Sequence, residues 1–139
     1  MTRNNKAVNG VRIAAGAAVL GIATSASILA APTASATVTG IAIAPGLTLG
    51  IHAQGTGCSY TITATVDDNS KRVYFYEEGQ GPSGFADAQP VGGEAKVTWT
   101  PTSTKPTYIY AFQPGATAQI RQPVDIGTGV NLGSACLAY

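Results

Sequence analysis

The stretch SYTITATV, residues 59–66, decides the fold. Tyr60, Ile62, Ala64 and Val66 share one parity, and Ser59, Thr61, Thr63 and Thr65 share the other. In an extended chain successive side chains point to opposite faces, so a period of two sends the apolar row to a core and the hydroxyl row to water. Threonine, isoleucine and valine also suit a pleated, half-buried backbone. The segment reads as a half-buried strand.

Similar patterns recur on both sides of it. Residues 38–43 predict a short strand. After the Pro45-Gly46 turn, Leu47, Leu49, Ile51 and Ala53 alternate with Thr48, Gly50, His52 and Gln54, which predicts another strand with His52 facing solvent. Asp67-Asp68-Asn69-Ser70 then breaks the chain, and the glycines at 79, 81 and 84 with Pro82 break it again. Strands are expected over residues 72–77, 85–88, 94–100 and 107–113, and towards the C-terminus over 118–120 and 129–132. No stretch after residue 36 sustains a helical period. The expectation is an all-β sandwich of about seven strands, with a barrel as the alternative.

Residues 1–36 follow different rules. Arg3, Lys6 and Arg12 precede an uncharged stretch over 13–30, and Ala34-Ser35-Ala36 closes the segment. That is the pattern of a cleavable signal peptide. Its run is mostly Ala, Gly, Ser and Thr, which inserts into a bilayer less favourably than a Leu-rich helix, so removal after Ala36 is expected over a retained anchor. The mature chain would be one domain, residues 37–139, secreted and either free outside the cell or loosely associated with the wall, with no membrane span.

Removing the leader changes the charge. The precursor carries +1, but five cations and seven acids remain after residue 36, which leaves −2. Without a basic cluster the domain lacks the electrostatic footprint of a nucleic-acid binder.

Cys58 and Cys136 are the two cysteines. Outside the cell an even count favours pairing, so they are read as a disulfide. There is no Cys-x-x-Cys and a single histidine, so neither a redox centre nor a metal site is expected, and no cofactor is implied. Catalytic signatures are also missing: no Gly-x-Ser-x-Gly elbow is present, and Glu77 and Glu78, adjacent on a strand, point to opposite faces. The Asp67-Asp68-Asn69 turn lacks the spaced ligands of a calcium loop. The chain is expected not to be an enzyme.

Three strings carry a resemblance. VYFYEEG at residues 73–79, GEAKVTWTP at 93–101 and YIYAFQ at 108–113 resemble consecutive parts of the bacterial immunoglobulin-like domain family. Gly57-Cys58-Ser59-Tyr60 is similar to small secreted single-domain members from high-GC Gram-positive bacteria. The resemblance spans roughly residues 55–113 and implies a Greek-key β-sandwich with no catalytic residues to carry over. The chain departs from antibody domains, which place their tryptophan on the third strand and join the second and sixth by a disulfide. Here Trp99 falls on the fifth strand, with the inward parity of Ala95 and Val97, and Cys136 lies beyond the sixth.

The tyrosines supply the candidate site. With Val73, Phe75, Ile109 and Ala111 inward, Tyr74, Tyr76, Tyr108, Tyr110 and Phe112 point outward from two strands that an immunoglobulin-like sandwich sets side by side. Such a row offers large contact area at low entropic cost. The function expected is a non-enzymatic binding or structural module acting on an unknown protein or glycan, at the cell envelope or in the medium. The alternative is a secreted inhibitor of an extracellular hydrolase, presenting the loop over residues 78–84.

Overall fold

A computed structural model describes residues 37–81, 83–133 and 135–139, and the leader expected over residues 1–36 lies outside them. Every regular element among the described residues is a strand: β1 (Val38–Ile43), β2 (Leu47–Thr48), β3 (Gln54–Gly55), β4 (Tyr60–Val66), β5 (Val73–Glu77), β6 (Ala86–Ala88), β7 (Glu94–Trp99), β8 (Thr107–Phe112), β9 (Ile120–Val124), β10 (Ile126–Gly127), β11 (Gly129–Asn131) and β12 (Cys136–Ala138).

The alternation in β4 places it at the centre of a three-stranded sheet, between β1 and β7, with both pairings antiparallel. Ile43, Ile62 and Val97 line up across the three strands on the inner face, while Ala42, Thr63 and Lys96 line up on the outer one. A second sheet runs β6-β5-β8-β9, also antiparallel throughout. Pro123 has no N–H to donate and sits in β9, an edge strand, where that lack is tolerated.

The inner faces of these two sheets meet in one core. Tyr60, Ile62, Ala64, Val66, Ala95 and Trp99 from the first sheet join Val73, Phe75, Ile109, Ala111 and Val124 from the second. These two sheets hold seven strands, the number expected, packed face to face as in a β-sandwich. Trp99 is buried as its parity required. Its indole N–H donates to Glu77 Oε1 at 3.0 Å, which satisfies the one polar atom the ring carries inward.

The other five strands form a cap at one end. β10 pairs in parallel with β3, and β12 pairs with β11 antiparallel and with β2 in parallel. The expected disulfide is present: Cys58, just before β4, is bonded to Cys136 in β12, with Cα atoms 5.8 Å apart. The buried Tyr60 hydroxyl donates to Gly55 O at 3.3 Å and accepts from the Gly55 N–H, a second tie between sandwich and cap.

The cap overturns one expectation. Residues 47–53 do not form a half-buried strand, since pairing stops after Thr48 and Leu47, Leu49 and Ile51 face solvent. The reason is local: the Thr48 hydroxyl donates to Gly50 O at 3.0 Å and accepts from Gly50 N–H at 3.1 Å, while Gly46 N–H donates to Ala53 O at 2.9 Å. These bonds curl the chain instead of extending it. His52 is consequently half-buried, with Nδ1 3.3 Å from Asp125 Oδ2, and not the solvent-facing strand residue expected. The C-terminal strands are also shifted, to Ile120–Val124 and Gly129–Asn131, and Cys136–Ala138 adds a strand no pattern announced.

Candidate functional site

β5 and β8 are neighbours, and their register sets the site. Tyr74 lies opposite Phe112 and Tyr76 opposite Tyr110 on the outer face, while Phe75 and Ala111 face each other inside, both fully buried. The outward residues expected from sequence, Tyr74, Tyr76, Tyr108, Tyr110 and Phe112, are therefore brought together, and all five are half-buried. β6 adds Asp87 to the row of Tyr74 and Phe112, and β9 adds Arg121 to the row of Tyr76 and Tyr110.

The rings pack against one another. Tyr76 and Tyr110 stack with centroids 4.8 Å apart and planes 4° from parallel, Tyr74 stacks on Phe112 at 5.5 Å, and Phe112 meets Tyr76 edge-on at 6.0 Å. Such cross-strand aromatic pairs stabilise a sheet by roughly 0.2–1 kcal/mol each. Burial in the stack pushes the Tyr76 phenol above its ordinary pKa, the neighbouring Tyr110 adds to the rise, and a hydrogen bond from the Tyr76 hydroxyl to Gln119 Oε1 opposes it.

Arg121 closes the ladder on the β9 side. Its guanidinium lies over the Tyr108 ring, 4.6 Å from the centroid, and its hydrogen bond to Tyr110, with help from Tyr108, raises its pKa further. Arg72, by contrast, is spent on Asp87, and Lys96 on Glu94 at 2.7 Å on the opposite face of the molecule. Among the described residues Arg121 has no acidic partner within salt-bridge distance.

Sequence reasoning missed Arg121 and Gln119. The signal was present but disguised: Ile120, Gln122 and Val124 take one parity in β9 and Arg121 and Pro123 the other, yet a glutamine and a proline inside the run hid the period of two.

The remaining polar groups are tied into the framework. Glu77 accepts from Trp99 at one oxygen and from Gln80 Nε2 at the other, the latter at 3.4 Å, and its N–H donates to Gln80 Oε1 at 3.1 Å. A cleft of about 270 Å³ beside it is lined by Glu77, Glu78, Ser103, Lys105 and Ile126 among others. Buried Gln113 donates from Nε2 to Asp68 O at 2.8 Å and to Lys71 O at 2.9 Å, pinning the turn between β4 and β5. Among the described residues no three His, Cys, Asp or Glu side chains cluster as a metal site would require.

Protein-family models, curated proteins and solved structures give no match to this chain.

Proposed function

We propose that this chain is an exported, non-enzymatic immunoglobulin-like module that binds a protein partner outside the cell, through the outer face of the β6-β5-β8-β9 sheet. The aromatic ladder with Arg121 at its edge carries the reading. Five half-exposed rings on one sheet face, fixed by stacking, are ordered before any partner arrives, which lowers the entropic cost of binding. The opposite outer face, with Thr63, Thr98 and Lys96, offers no comparable surface.

The ring geometry favours a protein over a glycan. Tyr76 and Tyr110 turn a face to each other, Tyr74 turns one to Phe112, and Arg121 covers one face of Tyr108, so each of these five rings has a face taken within the protein. Tyrosine, phenylalanine and arginine together on one face are the residue types enriched at protein–protein interfaces.

Greek-key kinship with the immunoglobulin-like family is supported by the strand orders, β1-β4-β7 against β6-β5-β8-β9, in which strands distant in sequence lie side by side. Export is supported by the leader pattern and by the paired cysteines, which persist in oxidising compartments.

The test is affinity capture from the producing organism's envelope and culture medium, with wild type, a Tyr74→Ala/Tyr110→Ala double mutant and a Thr63→Ala/Lys96→Ala control. Loss of one protein species in the first mutant alone supports the reading. Retention by that mutant overturns the binding face, and capture of polysaccharide instead overturns the partner class. Inhibition of a protease or amylase panel that survives the double mutant would move the function to the 78–84 loop.

A further inference from the structure

Thr37 is the residue that export would make the first of the mature chain. Ala34-Ser35-Ala36 precedes it in the sequence, and in the fold it stands one residue ahead of β1. Its N–H donates to Asp67 Oδ1 at 2.7 Å and its hydroxyl donates to Oδ2 at 2.6 Å. Asp67 N–H donates back to Thr37 O at 3.2 Å. Both oxygens of one carboxylate are thus spent on a single residue, and one of them is aimed at the nitrogen that cleavage would free.

We propose that the chain is cut between Ala36 and Thr37 and that Asp67 is the built-in receptor for the α-ammonium so formed. The proposal rests on the export reading given above. Hydrolysis breaks the Ala36 carbonyl–nitrogen bond; the hydroxyl of water goes to the Ala36 carboxyl and its hydrogen to the Thr37 nitrogen. The amine, with an ordinary pKa of about 7.7–8.0, then takes up a further proton at neutral pH. A neutral amide donor becomes a cation with three donors at the same site, so a hydrogen bond becomes an ion pair.

The surroundings suit that role. Asp68, the neighbouring acid, is occupied by Ser70, whose N–H and hydroxyl donate to it at 2.7 and 2.8 Å. Lys71 lies close enough to act on Asp68, and Glu94, across the sheet from Thr65, pairs with Lys96. Asp67 is therefore the acid placed to take the terminus. Its carboxyl is held below the ordinary range by the Thr37 hydroxyl and then by the Thr37 N–H, so carboxylate and ammonium are both charged from mildly acid to neutral pH.

Two measurements on protein secreted from the full-length gene separate the steps. Mass spectrometry of the secreted chain reads the first residue: Thr37 supports the cut, and any other residue overturns it together with this assignment. NMR titration of threonine-labelled protein then reads the α-amine. An apparent pKa raised by roughly half a unit or more, and returning to the ordinary range in Asp67→Asn, is the result expected of an exposed but geometrically fixed pair. A chain that starts at Thr37 yet titrates normally overturns the receptor while leaving export intact. If Asp67→Asn does not fold, the wild-type titration alone decides, because an unshifted amine is incompatible with the pair.

Discussion

In β4, Tyr60, Ile62, Ala64 and Val66 lie between 0% and 7% exposed, whereas Leu47, Leu49 and Ile51, alternating in the same way upstream, are 60%, 75% and 88% exposed. What differs is the company each stretch keeps. β4 has a strand on either side and a second sheet over its apolar face. Residues 47–53 have one partner, β12, for two residues, and then curl through hydrogen bonds among Thr48, Gly50, Gly46 and Ala53. Alternation permits a strand, but neighbours are needed to bury it.

The cap therefore depends on the bridge far more than the sandwich does, and removing the bridge should have the largest effect. Cys58→Ala with Cys136→Ala opens a link between residues 78 apart in sequence. Loop-closure entropy puts the loss at about 4 kcal/mol, read as a lower midpoint in urea. Hydrogen exchange should show the cap opening first, with amides of residues 126–139 losing protection while those of β4 and β5 keep it. Uniform loss of protection across both regions would break the comparison.

On the sandwich side the sharpest probe is Ile62→Ala. Ile62 is fully buried between Ile43 and Val97, so truncation leaves a cavity and should cost roughly 3–4 kcal/mol. The m-value should not change. A loss below about 1 kcal/mol would mean that the β4 row is not packed as tightly as its burial implies.

These two sites also mark what was legible in the sequence. β1, β4, β5, β7 and β8 were readable because each is a run of five to seven residues rich in strand formers, and the outward tyrosines followed from the period of β5 and β8; the edge strand β9 was misplaced at 118–120 because a glutamine and a proline hide its alternation. The cap was not readable, because its strands are two or three residues long and its pairings join the two ends of the domain, beyond the reach of local pattern. Besides the bridge and Tyr60, it is held by close approach of backbone to backbone, which leaves glycines as its trace. A Cβ at Gly129 would stand 2.1 Å from Thr56 O and 2.8 Å from Cys58 Sγ, and one at Gly55 would stand 2.7 Å from the Gly129 Cα. Gly129→Ala should accordingly cost about 2 kcal/mol, the range of overpacking, and should loosen the cap without altering the aromatic ladder. Near-ultraviolet circular dichroism, which reports the stacked tyrosines, should stay as in the wild type.

Acid tests the far end of β4, away from the cap. Hydrogen bonds from Thr37 and Ser70 lower the carboxyl pKa values of Asp67 and Asp68 below their ordinary values. Depressed carboxyls contribute stability that is fully present above the unfolded value of about 3.9 and is lost as pH falls from there through the folded values. Both groups are exposed, so the effect is small. The melting temperature should decline gently below about pH 4, and Asp67→Asn with Asp68→Asn should flatten that part of the decline. An unchanged acid limb in the double mutant would assign it to other carboxylates.

The smallest effect should come from the residues that look most like core in the sequence. Leu49→Ser with Ile51→Ser removes two large apolar side chains from positions alternating as Ile62 does, yet both face solvent, so stability should stay within about 0.5 kcal/mol. The contrast with Ile62→Ala then isolates what burial adds to pattern, because hydrophobicity and spacing are matched. Around these side chains the chain is uncharged, with no Asp, Glu, Lys or Arg over residues 44–58 or 126–139. If the double mutant instead lowered the melting temperature by several degrees, and only at high protein concentration, the apolar parity of residues 47–53 would be buried after all, between molecules and not within one.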